Sequence, residues 1–203
     1  MNYPRTITNL IECFKKLPGV GAKTAERMAL AVLDLSDDVN NIFADSIKNV
    51  KNNTKRCKKC NSFCENDLCD ICKDNTRDSS VICVVENPKN VILFEKVGTF
   101  KGIYHVLNGL ISPLDGISPD DINIESLLQR IKKENIKEII IAVKPTIEGE
   151  ATALYISKIL EQENVKVSTI AHGIPLGSDM EYMDSLTLEI ALQERRQISN
   201  NKN

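Results

Sequence analysis

The sequence of 203 residues predicts a multidomain α plus α/β protein. Its expected parts are a helical N-terminal region, a small four-cysteine metal finger, and a mostly parallel α/β domain with a C-terminal helix. Three observations predict this. Apolar residues recur at helical spacing up to about residue 50. Two Cys-x-x-Cys pairs follow, Cys57/Cys60 and Cys69/Cys72. After them, short apolar runs alternate with helical patterns, the order expected of a parallel sheet covered by helices.

Composition sets the class. Hydrophobic residues make up 42% and charged residues 27%, a globular and not a disordered balance. The longest apolar runs, Val81 to Val85 and Ile139 to Val143, are far short of the roughly 18 residues a membrane span needs. No apolar leader follows Met1, so a cytoplasmic protein with no membrane partner is expected. In that reducing setting closely spaced cysteines favour metal over disulfides. The net charge of −2 conceals an asymmetry, because residues 1–77 carry 13 basic and 10 acidic side chains while residues 78–203 carry 13 and 18. Two surfaces with different partners are implied.

Ile7, Leu10, Ile11, Phe14 and Leu17 mark a first helix, broken by Pro18-Gly19-Val20-Gly21. Ala22 to Leu33 resumes the pattern as a second helix. Ser36, with Asp37 and Asp38 behind it, caps a third that runs to about Val50. Lys48 to Lys59 holds six basic residues and no acidic one, which suits phosphate binding and a solvated helix end equally. Thr76 to Ser80 reads as a polar linker. Then come a strand at Val81–Val85, a helix at Pro88–Val97 with proline at its start, a strand at Ile103–Leu107 and a loop at Asn108–Asp121. A helix at Ile124–Lys133, a strand at Ile139–Val143, a helix at Glu150–Glu163 and a strand at Val165–Ala171 complete the alternation. A Gly/Pro-rich loop leads to a last helix from Asp184 to about Arg196, and Gln197 to Asn203 is expected to fray.

Four thiolates in two matched knuckles fill every position of a tetrahedral structural Zn²⁺ site and leave none open for catalysis. Cys64, between the knuckles, is read as a spectator, and Cys13 and Cys83 as core residues. The stretch Leu17-Pro18-Gly19-Val20-Gly21-Ala22-Lys23-Thr24-Ala25 has the helix-hairpin-helix signature. Its glycines allow a tight turn whose free N–H groups can face a phosphate, and Lys23 and Arg27, four apart, share one side of the second helix. An ordinary helical hairpin is the competing reading. A nucleotide P-loop is not, because Ala22 separates Gly21 from Lys23. Glu86 closes one strand, and Glu148 and Glu150 follow another. In an open parallel sheet such positions gather at the carboxyl edge and could converge on Mg²⁺. Exposed glutamates stabilised by a helix dipole fit the same spacing, and the sequence does not choose. His105 and His172 are expected to be hydrogen-bonded or exposed and not catalytic.

Six segments in order resemble the bacterial recombination mediator family RecR: LPGVGAKTAERMA, CKKC with CDIC, VICVVENPKNV, YHVLNGLISPLDGI, PTIEGEATALYI and GIPLGSDMEYMDSLTL. The resemblance implies a helix-hairpin-helix DNA-binding region at 1–53, a four-cysteine zinc finger at 54–77, a Toprim domain at 78–172 and a C-terminal segment at 173–203 with an oligomerisation role. It makes Gly19, Gly21, Lys23 and Arg27 DNA contacts. Cys57, Cys60, Cys69 and Cys72 become ligands of one structural zinc per chain. Glu86, Glu148 and Glu150 become a Toprim acidic cluster associated with docking of RecO, with Mg²⁺ left open. The implied function is a non-enzymatic mediator of DNA repair. It would bind single- and double-stranded DNA without sequence preference, assemble as a homodimer or homotetramer, and act with RecO and RecF to load recombinase. A Toprim-type Mg²⁺-dependent nuclease is the alternative. Asn90, Lys144 and Ser178 depart from the family pattern, which favours aspartate, a small polar residue and glycine at those positions.

Overall fold

The computed structural model describes residues 3–171 and 173–195; the expectations for His172 and for Gln197 to Asn203 lie outside them. The chain divides into two compact units, one ending at Thr54 and the other beginning at Lys55.

The first unit is three helices: α1 (Arg5–Lys15), α2 (Ala22–Leu33) and α3 (Asp37–Asn53). Phe14 of α1 is buried against Ala25 and Ala29 of α2, small residues that let the two helix backbones approach. Between them, Leu17 N–H donates to the Phe14 carbonyl and Val20 N–H to the Leu17 carbonyl. Gly19 supplies the left-handed backbone, φ 79°, that this turn requires. Ser36 caps α3 as the sequence predicts, and Asn40 ties it to α2 by donating to the Val32 carbonyl. No residue of α3 is buried, and Val39, Ile42, Phe43, Ile47 and Val50 are exposed. Cys13 is therefore not a core residue. It is exposed and lines an apolar groove with Phe43 and Ile47, because only the Phe14 side of α1 is covered.

The second unit opens with the finger: β1 (Lys55–Arg56) pairs antiparallel with β2 (Phe63–Cys64), and the short α4 (Asp70–Lys73) follows. A four-stranded sheet comes next, with β3 (Asp78–Val85), β4 (Gly102–Val106), β5 (Glu138–Ala142) and β6 (Lys166–Thr169) in the order β4-β3-β5-β6. All its pairings are parallel. The crossover helices are α5 (Pro88–Val97), α6 (Ile124–Lys133) and α7 (Ile147–Ile159). Alternation along β3 explains the two-layer core. Ile82 and Val84 face the large apolar cluster that includes Leu127 of α6 and Ile156 of α7. Cys83 and Val85 face the opposite cluster with Val91 of α5, against which Ile71 of the finger also packs.

The expected linker at 76–80 is instead tied into the sheet. Strand β3 already begins at Asp78, and Arg77 bonds to Glu95 of α5 and to the Gly102 carbonyl at 3.1 Å. Tyr104 donates to the same Glu95 at 2.7 Å. Helix α7 starts a turn earlier than its expected bound, because Thr146 caps it by accepting from Gly149 N–H. At the C-terminal end Asp184 caps α8 (Ser185–Gln193). No described residue from 173 to 195 is buried. Among the described residues no helix is long and apolar enough to cross a membrane.

His105, on β4, is fully buried. Its Nε2 meets the Asn123 carbonyl oxygen at 2.8 Å, and its Nδ1 lies 3.3 Å from a guanidinium nitrogen of Arg130. Burial, reinforced by that cation, pushes its pKa down to about 4. The unfolded chain takes up this proton near pH 6.5 and the folded chain does not. Stability is therefore full above about pH 6.5 and falls as the pH drops towards 4, by roughly 2–4 kcal/mol. Urea unfolding across that range is expected to show this slope, and His105→Gln is expected to flatten it. An equal slope in the variant would contradict the assignment.

Candidate functional site

The four cysteines come together as their spacing predicts. Cys57 N–H bonds to the Ser62 carbonyl and Asn61 N–H to the Cys57 carbonyl, which curls the first knuckle around its own sulfurs. Asn61 takes the left-handed conformation this turn needs, φ 62°. Cys69 sits just ahead of α4, which carries Cys72 one turn on, and Cys69 N–H points to Cys57 Sγ at 3.4 Å. All four sulfurs lie within 4.8 Å of one another, with Cys60 and Cys69 at 3.5 Å. Tetrahedral Zn²⁺ with Zn–S bonds of about 2.3 Å places its sulfurs about 3.8 Å apart, so the donor set fits zinc. Cys57, Cys60 and Cys69 are buried. The crowding suits a cation: the Cys60 thiol is pushed up, chiefly by its contact with Cys69, while the same contact holds Cys69 low. Cys64 lies outside this group, its Sγ directed to the Asn66 carbonyl at 2.8 Å.

The finger is built into the sheet domain. Val106 N–H, on the outer edge of β4, donates to the Cys60 carbonyl at 2.9 Å. Arg56 reaches Asn108 at 2.9 Å while its guanidinium lies over the Phe63 ring, and Lys59 pairs with Glu134 at 3.2 Å.

In the first unit Gly21 is the N-cap of α2 and offers no side-chain cap. The first intrahelical bond runs from Ala25 N–H to the Gly21 carbonyl, so the N–H groups of Ala22, Lys23 and Thr24 have no acceptor within the helix. A Cβ at Gly19 or Gly21 would meet nothing within 4 Å, so the face stands open. Lys23 and Arg27 are both exposed on α2. This arrangement can hold a phosphate by backbone donors and two cations.

The three glutamates stand at the carboxyl edge of the sheet but form no metal-competent set. Among the described residues the four cysteines are the only group of three or more Cys, His, Asp or Glu whose ligating atoms converge. Lys144 pairs with one of them, its Nζ 3.5 Å from Glu86 Oε1. Glu148 and Glu150 lie in the first turn of α7, as the helix-dipole reading has it. The Glu148 carboxyl is held below its usual range first by the Thr146 hydroxyl, with Lys144 contributing. Asn90 completes a capping box by accepting from Asn87 N–H at 3.0 Å.

Family models match the chain in four consecutive blocks. These are the RecR helix-hairpin-helix region at residues 7–51, the RecR four-cysteine zinc finger domain at 54–74, a Toprim domain at 80–171 and the RecR C-terminal region at 173–196. The chain belongs to the RecR family. Its RecR domains carry a role in recombination and repair, its finger carries zinc binding, and its helix-hairpin-helix and finger carry binding to DNA.

Sequence reading missed two residues that shape this RecR domain set. Arg130 lies on the apolar stripe of α6 beside Leu127 and Ile131, and that misplaced charge was its signal. Gly149 packs directly on the β5–α7 turn, and a Cβ there would lie 1.9 Å from the Lys144 carbonyl oxygen. Gly149→Ala must push α7, and with it Glu148 and Glu150, off the strand end. We expect a loss of roughly 1–3 kcal/mol in urea unfolding. Unchanged stability would show that the turn gives way freely.

Proposed function

We propose that this chain is a non-enzymatic DNA-binding adaptor that works with RecO and RecF to load recombinase at single-stranded gaps. The observation that carries the reading is the division of charge and chemistry between its units. One unit presents an open hairpin with free helix N–H groups, Lys23 and Arg27. The other presents glutamates at a sheet edge where Lys144 pairs with Glu86. In this reading Gly19 and Gly21 let the DNA backbone approach, and the N–H groups of α2 with Lys23 and Arg27 hold one or two phosphates. Contacts to the backbone carry no sequence information, so binding is nonspecific. Such binding is weak for a single site, with Kd about 10⁻⁴–10⁻⁶ M. A homodimer or homotetramer, assembled in part through the 173–203 segment, multiplies it by avidity.

Glu86, Glu148 and Glu150 serve as an acidic docking face for a basic protein partner, setting orientation and on-rate. Cys57, Cys60, Cys69 and Cys72 would hold the zinc. When bound it supplies folding energy and no chemistry on substrate, since the four thiolates fill its coordination. The nuclease alternative needs carboxylates free to bind Mg²⁺, and the Lys144 ammonium beside Glu86 competes with such a cation.

A crossed pair of variants tests this. Lys23→Ala with Arg27→Ala is expected to weaken binding of a labelled single-stranded oligonucleotide and to lower the slope of log K against log salt by about 1.4. RecO affinity, followed by calorimetry, stays unchanged in that variant. Glu148→Ala is expected to do the reverse. Wild-type DNA affinity at low salt in the first variant would remove the hairpin reading, and unchanged RecO affinity in the second would remove the docking reading.

A further inference from the structure

A crevice of about 300 Å³ lies within the second unit between the finger and α6. Its walls carry Lys58 and Lys59 from the finger and Arg130, Lys133 and Glu134 from α6. Lys58 pairs with Asp67 at 2.8 Å, and Glu134 is shared between Lys59 at 3.2 Å and Arg130 Nε at 3.4 Å. Lys133 makes no ion pair among the described residues. Four cations thus face two carboxylates, leaving the crevice positive.

Arg130 is the decisive group. It is only 7% exposed, and its Nη1 is engaged by the Tyr104 carbonyl at 2.9 Å and by His105 Nδ1. Its Nη2 is buried and has no acceptor. A buried guanidinium N–H without an acceptor is unfavourable, so the crevice that Arg130 lines favours an anion that supplies one. The sequence points the same way: the basic run from Lys48 to Lys59, which the hairpin does not use, ends in this crevice.

We propose that the crevice between finger and α6 is an anion subsite that takes a phosphodiester of bound nucleic acid, a second DNA contact beyond the hairpin. A phosphodiester fits because the exposed Lys58 lets a continuing strand pass, and its single negative charge falls within the surplus of two positive charges without displacing Glu134. The proposal rests on the reading of this chain as a DNA binder.

The test compares wild type with Lys59→Ala plus Lys133→Ala, leaving Arg130 to hold His105 and the Tyr104 carbonyl. A labelled oligodeoxythymidine is titrated by fluorescence anisotropy at several salt concentrations, with the zinc content and unfolding midpoint of each protein measured alongside. The variant is expected to bind roughly three- to tenfold more weakly, with a salt slope smaller by about 0.7, as for one lost phosphate contact. Glu134→Gln, which removes the competing carboxylate, is expected to strengthen binding. Equal affinity and slope in the double variant overturn the subsite while the hairpin stands. Weaker binding by Glu134→Gln as well overturns it in favour of a purely structural role. A wild-type protein that binds no oligonucleotide overturns the subsite and the hairpin reading together. Inorganic phosphate that raises the wild-type unfolding midpoint while DNA affinity ignores the lysines assigns the crevice to a free anion, which also overturns the proposal.

Discussion

The 2.9 Å hydrogen bond from Val106 N–H to the Cys60 carbonyl is the constraint on which the second unit depends. β4 is an edge strand, paired on one side with β3 and otherwise unpaired. An uncovered edge is both unsatisfied and prone to pair with other chains. Here the first knuckle covers it, and a knuckle can keep its shape only while its four sulfurs are held together. Bound zinc contributes on the order of 10–16 kcal/mol in small finger peptides. In this chain the contacts that would pass that energy on are the Cys60 carbonyl, towards β4, and the Lys59–Glu134 pair, towards α6. The finger is thereby part of the sheet domain's edge, and not a flexible appendage to it.

The same contacts explain a polar cluster that a sheet domain would otherwise avoid. His105 points away from the Tyr104 and Val106 side and is met by Asn123, Ser126 and Arg130. Asn61 of the finger reaches Ser126 at 3.4 Å, so this buried network closes against the knuckle. On the opposite face, Arg77, Glu95 and Tyr104 lock the entry of β3 to α5. Buried polar groups of this kind are usually hydrogen-bonded; among these residues Arg77 Nε and Arg130 Nη2 have no hydrogen-bond partner, and of the two only Arg77 Nε lies near a carboxylate, 3.5 Å from Asp74 Oδ2.

Much of this was legible in the residues. Strands buried on both faces read as unbroken apolar runs, and Pro88, Ser36 and Asp184 announced their helix starts by their own chemistry. The cysteine spacing gave the metal set, because two CxxC turns bring four thiols to one point. What the sequence hid was tertiary. The start of α7 was obscured by Gly149, a poor helix former kept for a close approach, and by the exposed Ile147. Cys13 shares an apolar period with Phe14, yet no second helix covers its side of α1. The pairing of Lys144 with Glu86 joins two strand ends 58 positions apart in the sequence, and no local pattern can show it.

The central claim is that the metal knuckle holds the sheet edge, and hydrogen exchange tests it most directly. Exchange followed by mass spectrometry on zinc-loaded protein, and again after chelation, reports on peptides spanning β4 and on peptides spanning α2. With zinc removed, protection across Gly102–Val106 is expected to fall together with that of the finger, while Ala22–Leu33 keeps its protection. A β4 that stays as protected after complete zinc loss would contradict the account.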